Sequence, residues 1–422
     1  MSTATTTAPL SRPSILGGAM IISGTAVGAG MFSIPIVTAG VWFSGSVLLL
    51  IYTWACMLIS GLMILETNLH YPAGASFHTM VKDLLGNVWS AINGISIAFV
   101  LYILTYAYIS AGGSIITHTL EGYFNLGHSL FGFLFSLLVA LIVWLSTRAV
   151  DRLSTILIGG MVITFALSVS DMFIQANNQI LLNTQQQDQR YLPYALAALP
   201  YLLTSFGYHG NIPGLVKYYR KDAKAVVRSL LYGTLIALVI YLLWQYVIQG
   251  NIPRVAFITI AADGGNIDSL LKQMGSVAKT PYLIPLLNAF SYMALASSFL
   301  GVSLGLFDYI SDYFKFADTT GGRTKAALVT FTPPTLAALI FPNGFIYAIG
   351  FAGLAATLWA VIVPALMVQK SRHRYTESCH VGEKPYRVPG GHAMVLFILA
   401  FGVINIIAHV LTLTHVLPVY TQ

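Results

Sequence analysis

Charge is what this chain has least of. Only 8% of its 422 residues are Asp, Glu, Lys or Arg, whereas a soluble domain carries about 25%. So few charges cannot solvate a chain that is 56% hydrophobic, which excludes a soluble globular protein and a disordered one. Cysteine is nearly absent. Cys56 falls in an apolar run and Cys379 in a polar stretch, so no disulfide framework is expected. His118, His128, His373 and His380 stand apart without metal-ligand spacing, and neither a metal nor a cofactor is expected. Nucleophile triads, phosphate loops and zinc motifs are missing, and Gly28-Ala29-Gly30 lacks the third glycine and the flanking strand of a dinucleotide fingerprint. The chain is therefore not expected to be an enzyme. No small-residue cleavage site follows Ile15–Met20, so that run reads as a retained span.

What the sequence does have is apolar runs of membrane-spanning length, roughly 20 residues each. Eleven are expected, near 15–41, 43–69, 91–117, 129–147, 153–175, 192–216, 227–249, 281–311, 325–341, 344–367 and 393–415. Threading them through a bilayer places seventeen of the 21 basic residues on one side. Only Arg190, Arg254, Lys272 and Lys279 fall on the other. The positive-inside rule then predicts a cytoplasmic N-terminus (1–14) and an outside C-terminus. It also accounts for the net charge of +7 without a nucleic-acid partner. The remaining polar stretches, 176–191 and 250–280 outside and 71–88 and 368–391 inside, are too short for a separate soluble domain. Within them Phe77–Leu85 is a candidate interfacial helix and Gln185-Gln186-Gln187 reads as loop.

Two of the runs are interrupted. Ser23-Gly24-Thr25-Ala26-Val27-Gly28-Ala29-Gly30 places three glycines in seven residues at mid-span. Glycine is costly inside a helix, and broken backbone at membrane depth persists only where protein buries it or a cavity meets it. The alternative is a GxxxG packing face in an intact helix. The sixth run carries the second interruption, Thr204-Ser205-Phe206-Gly207-Tyr208-His209-Gly210-Asn211-Ile212-Pro213. The break recurs five spans later, an odd number, so the second half starts from the opposite side of the membrane. Paired interruptions at corresponding positions mark an inverted repeat with its binding site between them, which favours broken helices over simple packing glycines. The expected units are 15–175 and 192–367, followed by an eleventh helix and C-terminus over 392–422.

The two interrupted segments, together with Phe99–Ser110, Ala296–Val302, Leu306-Phe307-Asp308-Tyr309 and Phe341-Pro342-Asn343-Gly344, resemble the aromatic amino-acid permeases of the amino acid–polyamine–organocation superfamily. The likeness covers nearly the whole chain and is nearest to the family's bacterial tryptophan-specific members. It implies an all-α membrane protein with the leucine-transporter-like 5+5 inverted repeat, broken helices 1 and 6, and one extra C-terminal helix. It also implies a multi-pass protein of the bacterial cytoplasmic membrane that imports an aromatic amino acid, tryptophan foremost, by proton symport. Sodium symport and uncoupled facilitation are the alternatives.

A zwitterionic substrate needs donors for its carboxylate and acceptors for its ammonium. Amides at Gly28, Ala29 and Gly30 can supply the first. Carbonyls ending the first half-helices, around Ser23, Gly24, Thr25 and Ala26 and around Thr204, Ser205, Phe206 and Gly207, can supply the second. Gly207, Gly210 and Phe206, beside Tyr208, are candidate walls for an indole slot. Asn288 and Ser291 are candidate polar contacts. Tyr102 and Tyr106 lie one turn apart on one helical face, and the resemblance implies a tyrosine on that helix closing over the carboxylate. An ordinary packing role is the alternative for each. Glu66 is a rare intramembrane carboxylate, for which the resemblance suggests bracing the sixth span; proton carriage and an interfacial position are the alternatives. Arg12 with Asp308 or Asp312 is a candidate inner gate or a set of solvated charges. Ser297 and Ser298 resemble the hydroxyl pair of one sodium site, with Gly24, Val27 and Ala294 supplying its carbonyls. Met31 replaces the Asn of the other site, and span five, with Met161 at the expected depth, lacks the Lys of proton-coupled relatives. Histidine titrates near physiological pH, leaving His209 open as either proton site or structural residue.

Overall fold

The computed structural model describes residues 13–120, 127–184, 190–278, 280–375 and 386–420. Among them it contains helices, turns and loops and no strand. In chain order the α-helices are α1 (Ile15–Ala26), α2 (Ser33–Val37), α3 (Trp42–Asn68), α4 (Phe77–Leu120), α5 (His128–Leu145), α6 (Thr147–Gln175) and the single turn α7 (Asn178–Leu181). There follow α8 (Ala195–Ser205), α9 (Ile212–Tyr218), α10 (Ala223–Asn251), the short α11 (Ala256–Ala262) and α12 (Ile267–Val277), and α13 (Leu283–Phe314). The last are α14 (Thr320–Ile340), α15 (Phe345–Thr357), α16 (Val363–Tyr375) and α17 (Gly391–Leu413). A π-turn, Leu358–Ile362, joins α15 to α16.

Capping residues start several of these helices where the apolar runs begin. Ser14 accepts from the Gly17 amide, Ser146 from Arg148, Asp222 from Ala225 and Thr319 from Gly322. Each satisfies one of the amides that a helix start leaves open. Gly86, at φ 86°, divides α4. The preceding piece from Phe77 is thus a separate helical segment, as its composition suggests.

Eight of the described helices or helix pairs are long and apolar enough to cross a bilayer, and the bent pair α1–α2 makes nine if counted as one. The stretches expected near 192–216 and 325–341 are helical but fall outside that group. The first is divided into α8 and α9. The second opens on Thr320-Gly321-Gly322-Arg323-Thr324-Lys325 and carries Pro333 and Pro334.

Helix α10 splints the first span. Ser229 reaches the Ile15 carbonyl, and Gln245 donates to Thr38 at 2.8 Å. Between them the backbones nearly touch, since a Cβ on Gly233 would stand 2.6 Å from the Ala19 carbonyl. Beyond the break, buried Phe32, Trp244 and Phe290 and half-buried Phe165 form a ring cluster with centroids 5.3–6.3 Å apart.

The two ends of the bundle are closed by different chemistry. At one end Arg254, fully buried, donates to the carbonyls of Ala39 (3.1 Å), Gly40 (2.7 Å) and Arg190 (2.9 Å). Its guanidinium also lies over the rings of Tyr191, Tyr194 and Tyr420, which favours a cation in desolvated surroundings. At the other end Tyr71 and Arg374 both donate to Asp83. Burial holds the His70 imidazole below its ordinary range, so at neutral pH it is an uncharged ring stacked on Tyr375 at 4.5 Å.

Gly233→Ala weighs helix propensity against this packing. Alanine gains about 1 kcal/mol in a helix interior, whereas overpacking against backbone costs about 1–3 kcal/mol. The carbonyl of Ala19 cannot swing away as a side chain would, so we expect net destabilisation. Thermal unfolding of the purified protein in detergent should show a lower Tm for Gly233→Ala; an unchanged or higher Tm contradicts the close approach.

Candidate functional site

The first break begins where α1 ends. Val27 leaves the helix at ψ 114°, its amide making the last bond, to the Ser23 carbonyl, at 2.8 Å. Gly28 is fully extended, and Ala29–Phe32 resumes as a 3₁₀ turn leading into α2. The helix axis bends by 52°. An extended backbone suits any residue, so conformation does not explain Gly28. Its neighbour does: a Cβ there would stand 2.3 Å from the Ser298 hydroxyl oxygen. Ser298, on α13, accepts from the Ala29 amide at 3.0 Å, capping the new helix start. Gly24 and Gly30 have nothing within 4 Å of the Cβ position, so each borders open space. Ser33 donates to the Gly30 carbonyl at 2.7 Å.

The second break lies at Phe206, Gly207 and Tyr208, between α8 and the 3₁₀ turn His209–Asn211 that leads into α9. Tyr208 donates to the Met57 carbonyl of α3 at 3.0 Å, and Gly61 gives it room, since a Cβ there would lie 2.4 Å from its oxygen. His209 is buried, stacked on Tyr208 at 4.6 Å and edge-on to Trp359 of the π-turn at 6.2 Å. Neither ring nitrogen makes a well-formed hydrogen bond, although the Met57 carbonyl lies beside the ring.

Two contacts join the breaks. Asn211 donates to the Thr25 hydroxyl at 2.6 Å, and Thr25 in turn donates to the Ile21 carbonyl at 2.7 Å. The Tyr241 hydroxyl of α10 lies 2.6 Å from the Ala26 carbonyl and 2.6 Å from that of Ser205. These are the final residues of α1 and α8. Phe206 is fully buried and packs edge-to-face on the Tyr241 ring at 5.2 Å.

The expected residues thus divide. Ser23, Gly24, Thr25, Gly28, Ala29, Gly30, Ser205, Phe206, Gly207, Tyr208, His209 and Ser298 lie at or against the breaks. Ser297 donates within its own helix to Ala294 at 3.1 Å. On the same helix, Asn288 Oδ1 and Ser291 Oγ are buried atoms without hydrogen-bond partners.

Tyr102 and Tyr106 are turned to backbone partners instead. They donate to the carbonyls of Val329 (2.9 Å) and Phe341 (2.8 Å), in and just after α14. Tyr106 also fills the space above Gly344. The tyrosine of α4 that meets the site is Tyr108, buried, with its hydroxyl against Ser298. It is six residues, about 240° of helix, from Tyr102, and so lies on a different face. Tyr108, Asn211 and Tyr241 were not singled out from the sequence. Asn211 sits inside the interrupted segment and was within reach; Tyr241 lies in an uninterrupted apolar run with no signal of its own.

Bracing of the second break by Glu66 is also corrected. Glu66 is 2% exposed and takes a bidentate pair from Arg372 (2.6 and 2.8 Å) plus the Val388 amide at 2.7 Å. A planar guanidinium matches both carboxylate oxygens and outcompetes a single backbone amide. Tyr208 makes the bond from the second break to α3 instead. Asp308 and Asp312 are exposed near the end of α13; their expected partner Arg12 lies outside the described residues.

Two tests follow from these contacts. Gly28→Ala should lose most uptake because its methyl meets Ser298, and the Gly28→Ala, Ser298→Ala pair should recover part of it. Equal losses in the single and the double variant contradict the contact. Arg372→Ala leaves a buried carboxylate unpaired and should destabilise by about 3–5 kcal/mol, whereas replacing both partners by apolar residues should cost less. Thermal unfolding of the set distinguishes the two.

Comparison with known proteins identifies the family. The model of the tryptophan/tyrosine permease family matches residues 11–409. The chain is 56% identical over 422 residues, all of both chains, to a tryptophan-specific transport protein of Pseudomonas aeruginosa. It is 44% identical over 413 residues, 96% of this chain and 98% of the relative, to a low affinity tryptophan permease of Escherichia coli. To a tyrosine permease of Enterobacter agglomerans it is 41% identical over 415 residues, 97% and 98% of the two. The apolar helices and these relatives make it a multi-pass membrane protein, and a transporter rather than an enzyme. The chain belongs to the tryptophan/tyrosine permease family.

Proposed function

We propose that this protein imports an aromatic amino acid, tryptophan foremost, across the bacterial cytoplasmic membrane by alternating access, coupled to protons. One observation carries the site: two helices are broken and bonded to each other at their breaks through Asn211–Thr25 and Tyr241. Open half-helix ends facing each other offer amides to a carboxylate and carbonyls to an ammonium without any charged side chain. The amides around Gly28 and Gly30 take the carboxylate, with an oxygen displacing Ser298 from the Ala29 N–H. The free space at Gly24 and Gly30 gives the substrate room, and Asn288 and Ser291 offer polar atoms to the indole N–H.

Two five-helix repeats, 15–175 and 192–367, would then pivot about this site, with α17 as the eleventh span. The N-terminus lies in the cytoplasm and the C-terminus outside. For coupling, Glu66 is already held by Arg372, leaving His209, buried with neither ring nitrogen in a well-formed hydrogen bond, as the proton site. Sodium coupling is the second reading. The Ser298 oxygen already accepts from the Ala29 amide, which weighs against it, because an ion there would compete with that bond.

Uptake of labelled tryptophan into proteoliposomes tests the whole reading. An inward-directed proton gradient should drive accumulation above equilibrium, with unlabelled tryptophan competing better than tyrosine and leucine not at all. His209→Gln should keep substrate exchange and lose the response to the proton gradient. Accumulation that follows sodium alone selects the second reading, and mere equilibration makes the protein a facilitator.

A further inference from the structure

The Tyr241 hydroxyl raises an electrostatic question that goes beyond which amino acid is carried. A helix C-terminus carries partial negative charge, equivalent to about half an elementary charge. Here two of them, α1 at Ala26 and α8 at Ser205, converge on one point. Converging carbonyls in a dry interior need a positive partner, and carbonyl clusters of this kind bind bare monovalent cations elsewhere in membrane proteins. In this chain the partner is a phenol. Tyr241 is fully buried, and its oxygen sits 2.6 Å from both carbonyls. It has one proton, shared between two acceptors or donated to each in turn. No formal charge reaches the junction from α1, which has no ionisable residue. On α8, Tyr201 turns its ring to Gly350. Tyr108 of α4 is the titratable neighbour that electrostatics brings to Tyr241 among the described residues.

We infer that the Tyr241 hydroxyl occupies the position of a monovalent cation between the two broken helices, and that it thereby excludes alkali metal ions from this junction. The ring is fully buried and packs edge-to-face on Phe206, which holds the oxygen against the two carbonyls. Tyr241 is a positioning residue that sets ion specificity. Removal of the single oxygen leaves two carbonyls aimed at a gap of about atomic size, a latent site for a small alkali cation.

The test is Tyr241→Phe, which keeps the ring and its contact with Phe206. Purified parent and variant are unfolded thermally in detergent with NaCl, LiCl or choline chloride at constant ionic strength. The variant should show a saturable Tm rise of roughly 5 °C with sodium or lithium over choline, and the parent none. A folded variant indifferent to all three salts overturns the inference, as does a parent that responds as strongly as the variant. If Tyr241→Phe does not accumulate, Tyr241→Leu, which also removes the oxygen, is unfolded in the same salts, and a folded Tyr241→Leu indifferent to sodium and lithium overturns the proposal.

Discussion

A backbone group cannot be left unbonded in an apolar interior, and this structure turns on how two broken helices meet that requirement. Each break frees carbonyls from one half-helix and amides from the next. Water cannot be counted on to satisfy them, and an orphaned group costs several kcal/mol at that depth. Neutral hydroxyls and amides from neighbouring elements do so instead. Ser298 takes the Ala29 amide, Tyr241 serves the Ala26 and Ser205 carbonyls, and Asn211 ties Thr25 across the gap. These donors and acceptors form single bonds and are released without separating charges, as a site that must empty and refill requires. Ion pairing and cation stacking are kept at the ends of the bundle, at Glu66–Arg372 and around Arg254.

Much of this was legible in the sequence, because the strongest signals were about cost. Glycine-rich interruptions at mid-span are expensive unless used, and both proved to be breaks. The helices follow the apolar runs, and Gly86 divides α4 just past the expected surface segment. What periodicity could not decide was which side of a buried helix faces the site. Tyr102, Tyr106 and Tyr108 are alike to any composition argument. Only packing shows that the first two bond the carbonyls of Val329 and Phe341 and the third meets Ser298. Glu66 was misread for a related reason. Its rarity announced importance, but its partner Arg372 was assigned to a polar loop, and no local pattern links them.

Glycines work here chiefly as absences of volume. Gly233 lets α10 lie against α1, Gly61 admits the Tyr208 hydroxyl, and Gly28 admits Ser298. Each joins a broken segment to an unbroken helix. The first half of span one is thus fastened to α10, and the second break to α3. Gly24 and Gly30 differ, since a side chain added at either would meet nothing within 4 Å. The interruption in the first span therefore combines two kinds of glycine, one kind for contact and one for vacancy, which a sequence motif cannot tell apart.

The Glu66–Arg372 pair also constrains the order in which the protein can be made. Its members are separated by 306 positions in the chain, and synthesis proceeds at about 5–20 residues per second, so the carboxylate exists for roughly 15–60 s before its guanidinium does. Throughout that interval α3 carries an acid whose partner has not been synthesised. Until then that end of α3 lacks the anchor that Arg372 supplies. Rigidity at the Arg372 end therefore arrives late, when α16 and the segment carrying Val388 close over Glu66. For a translocation machinery handling the nascent chain, this one end of α3 is fastened only with the final part of the message.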